Sequence, residues 1–268
     1  MTLLTAITTH LPPEHVREQL DYLKELSPSS RFVVCYGGSR AGYDELRIRD
    51  ALFVSDDGLR EASQDQSYNG ILRAVHENCV APDPALELVY FIEFDQLILS
   101  GDFEEALTAL SERSEAGLFA KAASPRNDTN WLHYLRFRDD ASFNGFIAEI
   151  SRRDDPKRRY GCLGTGMLFR REALAAFASA TAGAPHAYLE LFIPTVVYHL
   201  GFDVEDVDAL GDLYGAMRWR PEYTLEEAIA EKRAGRIFVH PFKRLDALDT
   251  IRQAPARAQN FSTAGSSG

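Results

Sequence analysis

Leu86-Glu-Leu-Val-Tyr-Phe91-Ile-Glu93-Phe-Asp95-Gln96 reads as a strand that has no solvent face until its last residues. Apolar side chains stand at consecutive rather than alternate positions, the pattern of a strand covered on both sides. Two acids, Glu93 and Asp95, then follow at the point where the apolar run stops. In open sheets built of parallel strands, ligands bind beyond the carboxyl ends of the strands, so this end is the first place to look for chemistry.

The segments on either side repeat the pattern. Residues 3–8, 31–36 and 51–55 are short, apolar and β-prone, and residues 118–122 form a further strand. Between them lie helical stretches. In residues 14–26, Val16, Leu20, Leu23 and Leu26 fall on one face, after Pro12-Pro13 and before Pro28. Residues 66–79 place Ile71, Leu72 and Val75 inward, and residues 102–112 are amphipathic. Strands alternating with helices predict an α/β fold with a mostly parallel central sheet covered on both faces. The strand ends are Thr8-Thr9-His10, Tyr36-Gly37-Gly38, Ser55-Asp56-Asp57 and Glu93-Phe94-Asp95. After Pro125 the pattern loosens. Residues 127–140 are aromatic and basic, residues 151–160 are a charged run, and residues 161–169 are glycine-rich and then strand-like. Helices are expected at 171–180, 188–200 (with Pro194 inside) and 226–233, and a strand at 203–207.

At roughly 150 residues per domain, 268 residues allow one large domain or two small ones. The 29 Lys and Arg against 40 Asp and Glu leave a formal charge of −11. That balance argues against nucleic acid as a partner, because phosphate backbones are bound by cationic surfaces. A phosphorylated small molecule would need local help against the same field. Cys35, Cys79 and Cys162 are far apart and form no CxxC pair, which points to the cytoplasm. Residues 1–10 do not read as a signal peptide, and no stretch approaches the roughly 20 apolar residues of a membrane span. Residues 254–268, rich in Ala, Ser, Gly and Gln, read as a flexible tail.

Two carboxylates at i and i+2 on one side of an extended chain are costly if buried without partners. Hard Mg²⁺ or Mn²⁺ is one way to satisfy Glu93 and Asp95, and it would let a diphosphate approach an acidic protein. An ordinary strand end with solvated acids is the other reading.

Glu93-Phe94-Asp95, in its position after the fourth strand, resembles the Asp-x-Asp element of GT-A fold nucleotide-sugar glycosyltransferases, with Glu in place of the first Asp. Three later segments match in order. Gly161-Cys-Leu-Gly-Thr-Gly166 and the following Arg170-Arg-Glu-Ala-Leu174 resemble the family's glycine-rich stretch and helix. Tyr188-Leu-Glu190 resembles the segment that carries the base of inverting members, and Val239-His240-Pro-Phe-Lys243 resembles the late metal-binding His. The resemblance covers about residues 3–243. It implies a Rossmann-like, three-layer α/β/α domain over 1–253, with a nucleotide-sugar donor half (1–122) and an acceptor half (123–253). It implies a metal, Mn²⁺ or Mg²⁺, on Asp95, Glu93 and His240, with Lys243 reaching the diphosphate. Glu190 and Asp95 would be catalytic, and Thr8, Thr9, Tyr36, Asp57, Gln66 and Asn69 would meet the nucleoside. The implied reaction is a hexosyltransferase-like transfer from a nucleoside-diphosphate sugar, a UDP-sugar, to a saccharide or other hydroxyl acceptor. Trp131, His133, Tyr134 and Trp219 are candidate sugar-stacking residues. The run Arg152, Arg153, Lys157, Arg158 and Arg159 would either close over the diphosphate, face an anionic acceptor or membrane surface, or be a solvated face that Asp154 and Asp155 partly neutralise.

Two rivals differ in sequence-level ways. A sugar nucleotidyltransferase would carry a glycine- and lysine/arginine-rich loop after the first strand, and residues 3–13 have none. A non-catalytic binding module on the same scaffold would bind a nucleotide sugar without turning it over. P-loop, nucleophile-elbow and HExxH patterns are absent.

Overall fold

The computed structural model describes residues 1–54 and 68–255. In chain order they form β1 (Thr2–Thr9), α1 (Pro13–Leu26), β2 (Arg31–Tyr36), α2 (Arg40–Leu46), β3 (Ala51–Phe53), α3 (Asn69–Val75, continued by a π turn His76–Val80), β4 (Leu86–Glu93), β5 (Leu97–Ile98), α4 (Phe103–Ser111), β6 (Leu118–Ala120) and β7 (Ser124–Pro125). There follow α5 (Leu132–Phe137), α6 (Ala141–Ile150), β8 (Tyr160–Gly161), β9 (Met167–Arg170), α7 (Arg171–Ala180), α8 (Leu189–His199), β10 (Val204–Asp206), α9 (Val207–Leu210), α10 (Leu225–Arg233), β11 (Phe238–Val239) and α11 (Leu248–Gln253).

Seven strands make one sheet in the order β10-β6-β9-β4-β1-β2-β3. β1 pairs in parallel with β2 and β4, β2 with β3, and β6 with β10. Only β9 runs antiparallel, between β4 and β6. The expected mostly parallel, two-sided α/β sheet is therefore what the chain forms. The reason is visible along β4. Leu88, Tyr90 and Ile92 join one core with residues of α1, α4, α10 and α11, while Val89 and Phe91 join the opposite core with residues of α3, α7 and α8. An uninterrupted apolar run is what a strand with two buried faces requires. Each such fully buried side chain contributes about 1.5–3 kcal/mol.

Several elements differ from the sequence expectation. The strand expected at 118–122 ends at Ala120, because Ala122 adopts a left-handed φ of 56° and its N–H turns to Asp206 Oδ1 at 2.9 Å. The strand expected at 51–55 ends at Phe53. The aromatic and basic stretch 127–140 contains the short helix α5, and α6 follows it where no helix was expected. Asp140 starts α6 by accepting the Phe143 N–H at 2.8 Å. Strand end 55–57, Gln66 and all but the first two residues of the expected tail lie outside the described residues. All three cysteines are free. Among the described residues no helix is long and apolar enough to cross a membrane.

Candidate functional site

The site is assembled at the carboxyl end of β4 by backbone hydrogen bonds. Phe94 N–H donates to Thr8 O (3.0 Å) and Gln96 N–H to Glu93 O (3.0 Å), which turns the chain just past the strand. Phe242 N–H donates to Asp95 O (2.8 Å). β11 pairs antiparallel with β5, Val239 opposite Leu97 and Phe238 opposite Ile98. These contacts seat the late segment containing His240 against the strand end. One donor atom each from Glu93, Asp95 and His240 then lies within 4.8 Å of the others.

The histidine tautomer follows from its partners. His240 Nδ1 lies 2.8 Å from the Arg218 carbonyl, which can only accept, so Nδ1 carries the proton. In the neutral ring Nε2 therefore presents its lone pair to the cluster. It lies 3.4 Å from Asp95 Oδ1. That oxygen is buried and accepts no hydrogen bond. A lone pair facing a carboxylate oxygen is repulsive until a cation or a proton stands between them. Burial pulls the His240 pKa down, but a hydrogen bond to Asp95 in the protonated ring, and then the charges of Asp95 and Glu93, outweigh it, and the net shift is upward.

Glu93 accepts a 2.6 Å hydrogen bond from the Tyr68 hydroxyl on Oε1. Loss of water around its carboxyl, and next the charge of Asp95, push its pKa up to about 7. The same burial, with Glu93 beside it, pushes Tyr68 well above the ordinary tyrosine value, so Tyr68 remains a donor.

Glu190 stands second in α8 and is 8% exposed. Pro194 explains how it is held. Proline has no N–H to give to the carbonyl four residues back. The Glu190 carbonyl accepts from Cys162 N–H at 3.0 Å instead. Two residues on, Gly164 N–H donates to Glu190 Oε1 at 3.0 Å. A Cβ at Gly164 would sit 2.7 Å from Leu189 Cδ1 and 3.2 Å from Glu190 Cγ, so any larger residue would have to push the Leu189 and Glu190 side chains aside. Burial raises the Glu190 pKa to about 7, against the Gly164 hydrogen bond and with the Glu93 charge adding to it.

A buried polar chain joins this turn to the strand end. Thr165 Oγ1 accepts Glu93 N–H (2.9 Å) and donates to Gln96 Oε1 (2.7 Å), and Gln96 Nε2 donates to Tyr90 OH. Tyr214 OH donates to Gly166 O at 2.8 Å, and Gly166 N–H to Phe91 O at 3.1 Å. Gly166 needs its left-handed φ of 72° to close the turn.

The other expected residues fall as follows. Thr8 is paired in register with Glu93 and its buried Oγ1 has no partner. Thr9 Oγ1 accepts Leu11 N–H, and Asn69 begins α3 with Oδ1 buried and unpartnered. Tyr36 is 3% exposed and packs at a tilt against Tyr43. Lys243 is exposed, and its charge acts on Glu93. Asp57 and Gln66 lie outside the described residues. His133 is buried and stacks on Tyr188 at 3.6 Å, edge-on to Trp131, while Tyr134 is half-buried and Trp219 is exposed. Sequence reasoning missed Tyr68 and Gln96. Tyr68 sat inside the expected 66–79 helix, where nothing in the local pattern marks it.

No family model matches the chain, and no curated protein matches it. Among solved structures it is similar to the galactosyltransferase LgtC in complex with donor and acceptor sugar analogues, at 12% identity and TM-score 0.39 over 76% of this chain and 73% of that one. It is similar to mannose-1-phosphate geranyltransferase from Thermus thermophilus, at 14% identity and TM-score 0.38 over 76% and 73% of the two chains. It is also similar to UDP-glucose pyrophosphorylase (V402W mutant) from Leishmania major, at 9% identity and TM-score 0.37 over 74% of this chain and 60% of that one.

Proposed function

We propose that this chain is a metal-dependent glycosyltransferase that moves a hexosyl group from a nucleoside-diphosphate sugar, a UDP-sugar, to a hydroxyl of a saccharide or similar acceptor. The observation that carries the reading is the convergence of Glu93, Asp95 and the His240 Nε2 lone pair at the end of β4, with Asp95 Oδ1 buried and unsatisfied. Two carboxylates and one imidazole are a donor set suited to Mn²⁺ or Mg²⁺. Held by these three residues, such an ion would supply positive charge to a departing diphosphate.

The chain's own groups do the rest. Lys243 adds a second cation beside Glu93 in a protein whose net charge is −11. Glu190, with a pKa of about 7, is poised to take the proton of an acceptor hydroxyl near neutral pH. Its carbonyl and carboxylate are both fixed by the glycine turn, so the base is oriented before the acceptor arrives.

A thermal-shift titration tests the donor site. UDP and Mn²⁺ together should raise the melting temperature well above either alone, and Asp95→Asn should remove the joint effect. No shift with any nucleoside diphosphate under any divalent metal would overturn the reading. A joint shift without release of UDP from any UDP-sugar would favour a binding module.

A further inference from the structure

We propose that Tyr68 is the positioning residue that fits a glutamate, rather than a shorter acid, to the cation site at the end of β4. The inference rests on the metal-centre reading above. In the resemblance drawn from the sequence, Glu93 corresponds to the first aspartate of the Asp-x-Asp element, and its carboxylate reaches one C–C bond, about 1.5 Å, farther than an aspartate's would. The extra rotatable bond also adds freedom that must be removed for the oxygen to stay in place.

Tyr68 removes it. Its hydroxyl donates to Glu93 Oε1 at 2.6 Å, the short length of a hydrogen bond to a charged acceptor. With Oε1 held by this hydroxyl, the carboxylate is fixed in place beside Asp95 and His240. The backbone of Glu93 is fixed independently, by its N–H to Thr165 Oγ1. Tyr68 is itself anchored: it is 4% exposed, and its ring meets Phe91 edge-on at 5.7 Å between centroids.

Its backbone gives a separate indication. Tyr68 has φ 54° and ψ 17°, the left-handed region that an aromatic residue rarely adopts. A residue chosen only to fill the core would not need this conformation. Strain of this kind is retained where the surrounding structure holds a side chain for a purpose. Here the strained residue is the one that reaches Glu93. An aspartate at position 93 would end too short to keep this hydrogen bond.

The test is Mn²⁺ alone, its free concentration read by electron paramagnetic resonance, titrated into four proteins: wild type, Tyr68→Phe, Glu93→Asp and the double variant. Tyr68→Phe keeps the ring and its packing, so its metal-free melting temperature should stay within a few degrees of wild type. It should nevertheless bind Mn²⁺ about tenfold more weakly, the loss typical of removing a partner of a ligand. Glu93→Asp should weaken binding by at least as much, and the double variant should be little worse than Glu93→Asp, because the hydrogen bond is already lost. Unchanged affinity in Tyr68→Phe overturns the proposal, as does a double variant in which the two losses multiply. If wild type binds Mn²⁺ in an Asp95-dependent way and Tyr68→Phe binds equally well, the positioning role alone fails. If wild type binds no Mn²⁺, the metal-centre reading fails and this inference with it.

Discussion

Residues 151–160 carry five cations and two acids, whereas the end of β4 carries two acids that meet a single distant histidine. On charge density the first region looks the more functional. The fold uses two of the five cations, Arg153 and Arg159, internally. Arg153 donates to the carbonyls of Tyr198 and Gly201 and to Asp203 Oδ1 at 2.7 Å. Arg159, 4% exposed, donates to the carbonyls of Pro156 and Arg158 and to Asn144 Oδ1. His199 joins in, with one ring nitrogen at the Arg158 carbonyl and the other at Ser151 Oγ. These contacts tie a long loop to α6 and α8. At the end of β4, a buried carboxylate oxygen of Asp95 and the His240 Nε2 face each other at 3.4 Å, with room for a proton or a cation to be shared between them. Buried atoms without a partner occur in both regions, Arg158 Nε and Arg159 Nε in the first and Asp95 Oδ1 in the second; what sets the end of β4 apart is that its donor atoms converge, one each from Glu93, Asp95 and His240 within 4.8 Å of one another.

The largest effect that would break this contrast is expected at Glu190. Glu190→Gln should lower sugar transfer by about 10²–10⁴-fold while leaving binding of UDP and Mn²⁺ nearly intact. Steady-state rates together with a nucleotide titration check it, and transfer within about tenfold of wild type would remove Glu190 as the base. Next comes Arg159→Ala. Losing a buried guanidinium with three hydrogen bonds should cost about 2–3 kcal/mol of stability, read by denaturant unfolding, with Mn²⁺ affinity unchanged. The exposed neighbour Lys157→Ala should change stability by less than about 0.5 kcal/mol. A loss of metal binding in Arg159→Ala would erase the distinction between the two regions.

Thr165→Val should be smaller in stability, about 1–2 kcal/mol, since it leaves Glu93 N–H and Gln96 Oε1 without their partner. Because that hydroxyl links strand end to glycine turn, the turnover number should also fall, and Thr165→Ser should restore it. The smallest effect is one of pH on the metal-free protein. Glu93 and Glu190 have pKa values of about 7 in place of the ordinary 4.5, so the folded state binds their protons more tightly than the unfolded state. Their contribution to stability is full below about pH 4.5 and is lost as pH rises through about 7. Between pH 5 and 8, wild type should lose a few degrees of melting temperature relative to Glu190→Gln, which has no such proton. Equal pH slopes in the two proteins would contradict the raised value.

The sheet was legible because strands buried on both faces leave unmistakable apolar runs, as at 31–36 and 86–91. The antiparallel direction of β9 was not, because Met167–Arg170 is apolar whichever way it runs. β5 and β11 have two residues each, too short for any periodicity, yet their pairing seats His240 beside Asp95. Helix α6 went unseen because its inward residues, Phe143 and Ile147, are few and lie beside a basic aromatic stretch, although Asp140 was a readable cap. Glu93 and Asp95 were legible from residue type and spacing, whereas His240 entered only through the resemblance; the fold brings one donor atom from each within 4.8 Å of the others. Tyr68 was not, because what distinguishes it is a backbone conformation and a long-range hydrogen bond, neither of which has a local sequence signature.

The most direct measurement is an anomalous difference map, recorded at the manganese edge, from crystals of the protein grown with Mn²⁺ and UDP. The expected result is one strong peak that contacts Asp95, His240 Nε2 and Glu93 at roughly 2.0–2.6 Å, the range of hard-cation distances, with the diphosphate against it. Bound UDP with no peak at these three residues, or a peak elsewhere in the molecule, would contradict the account.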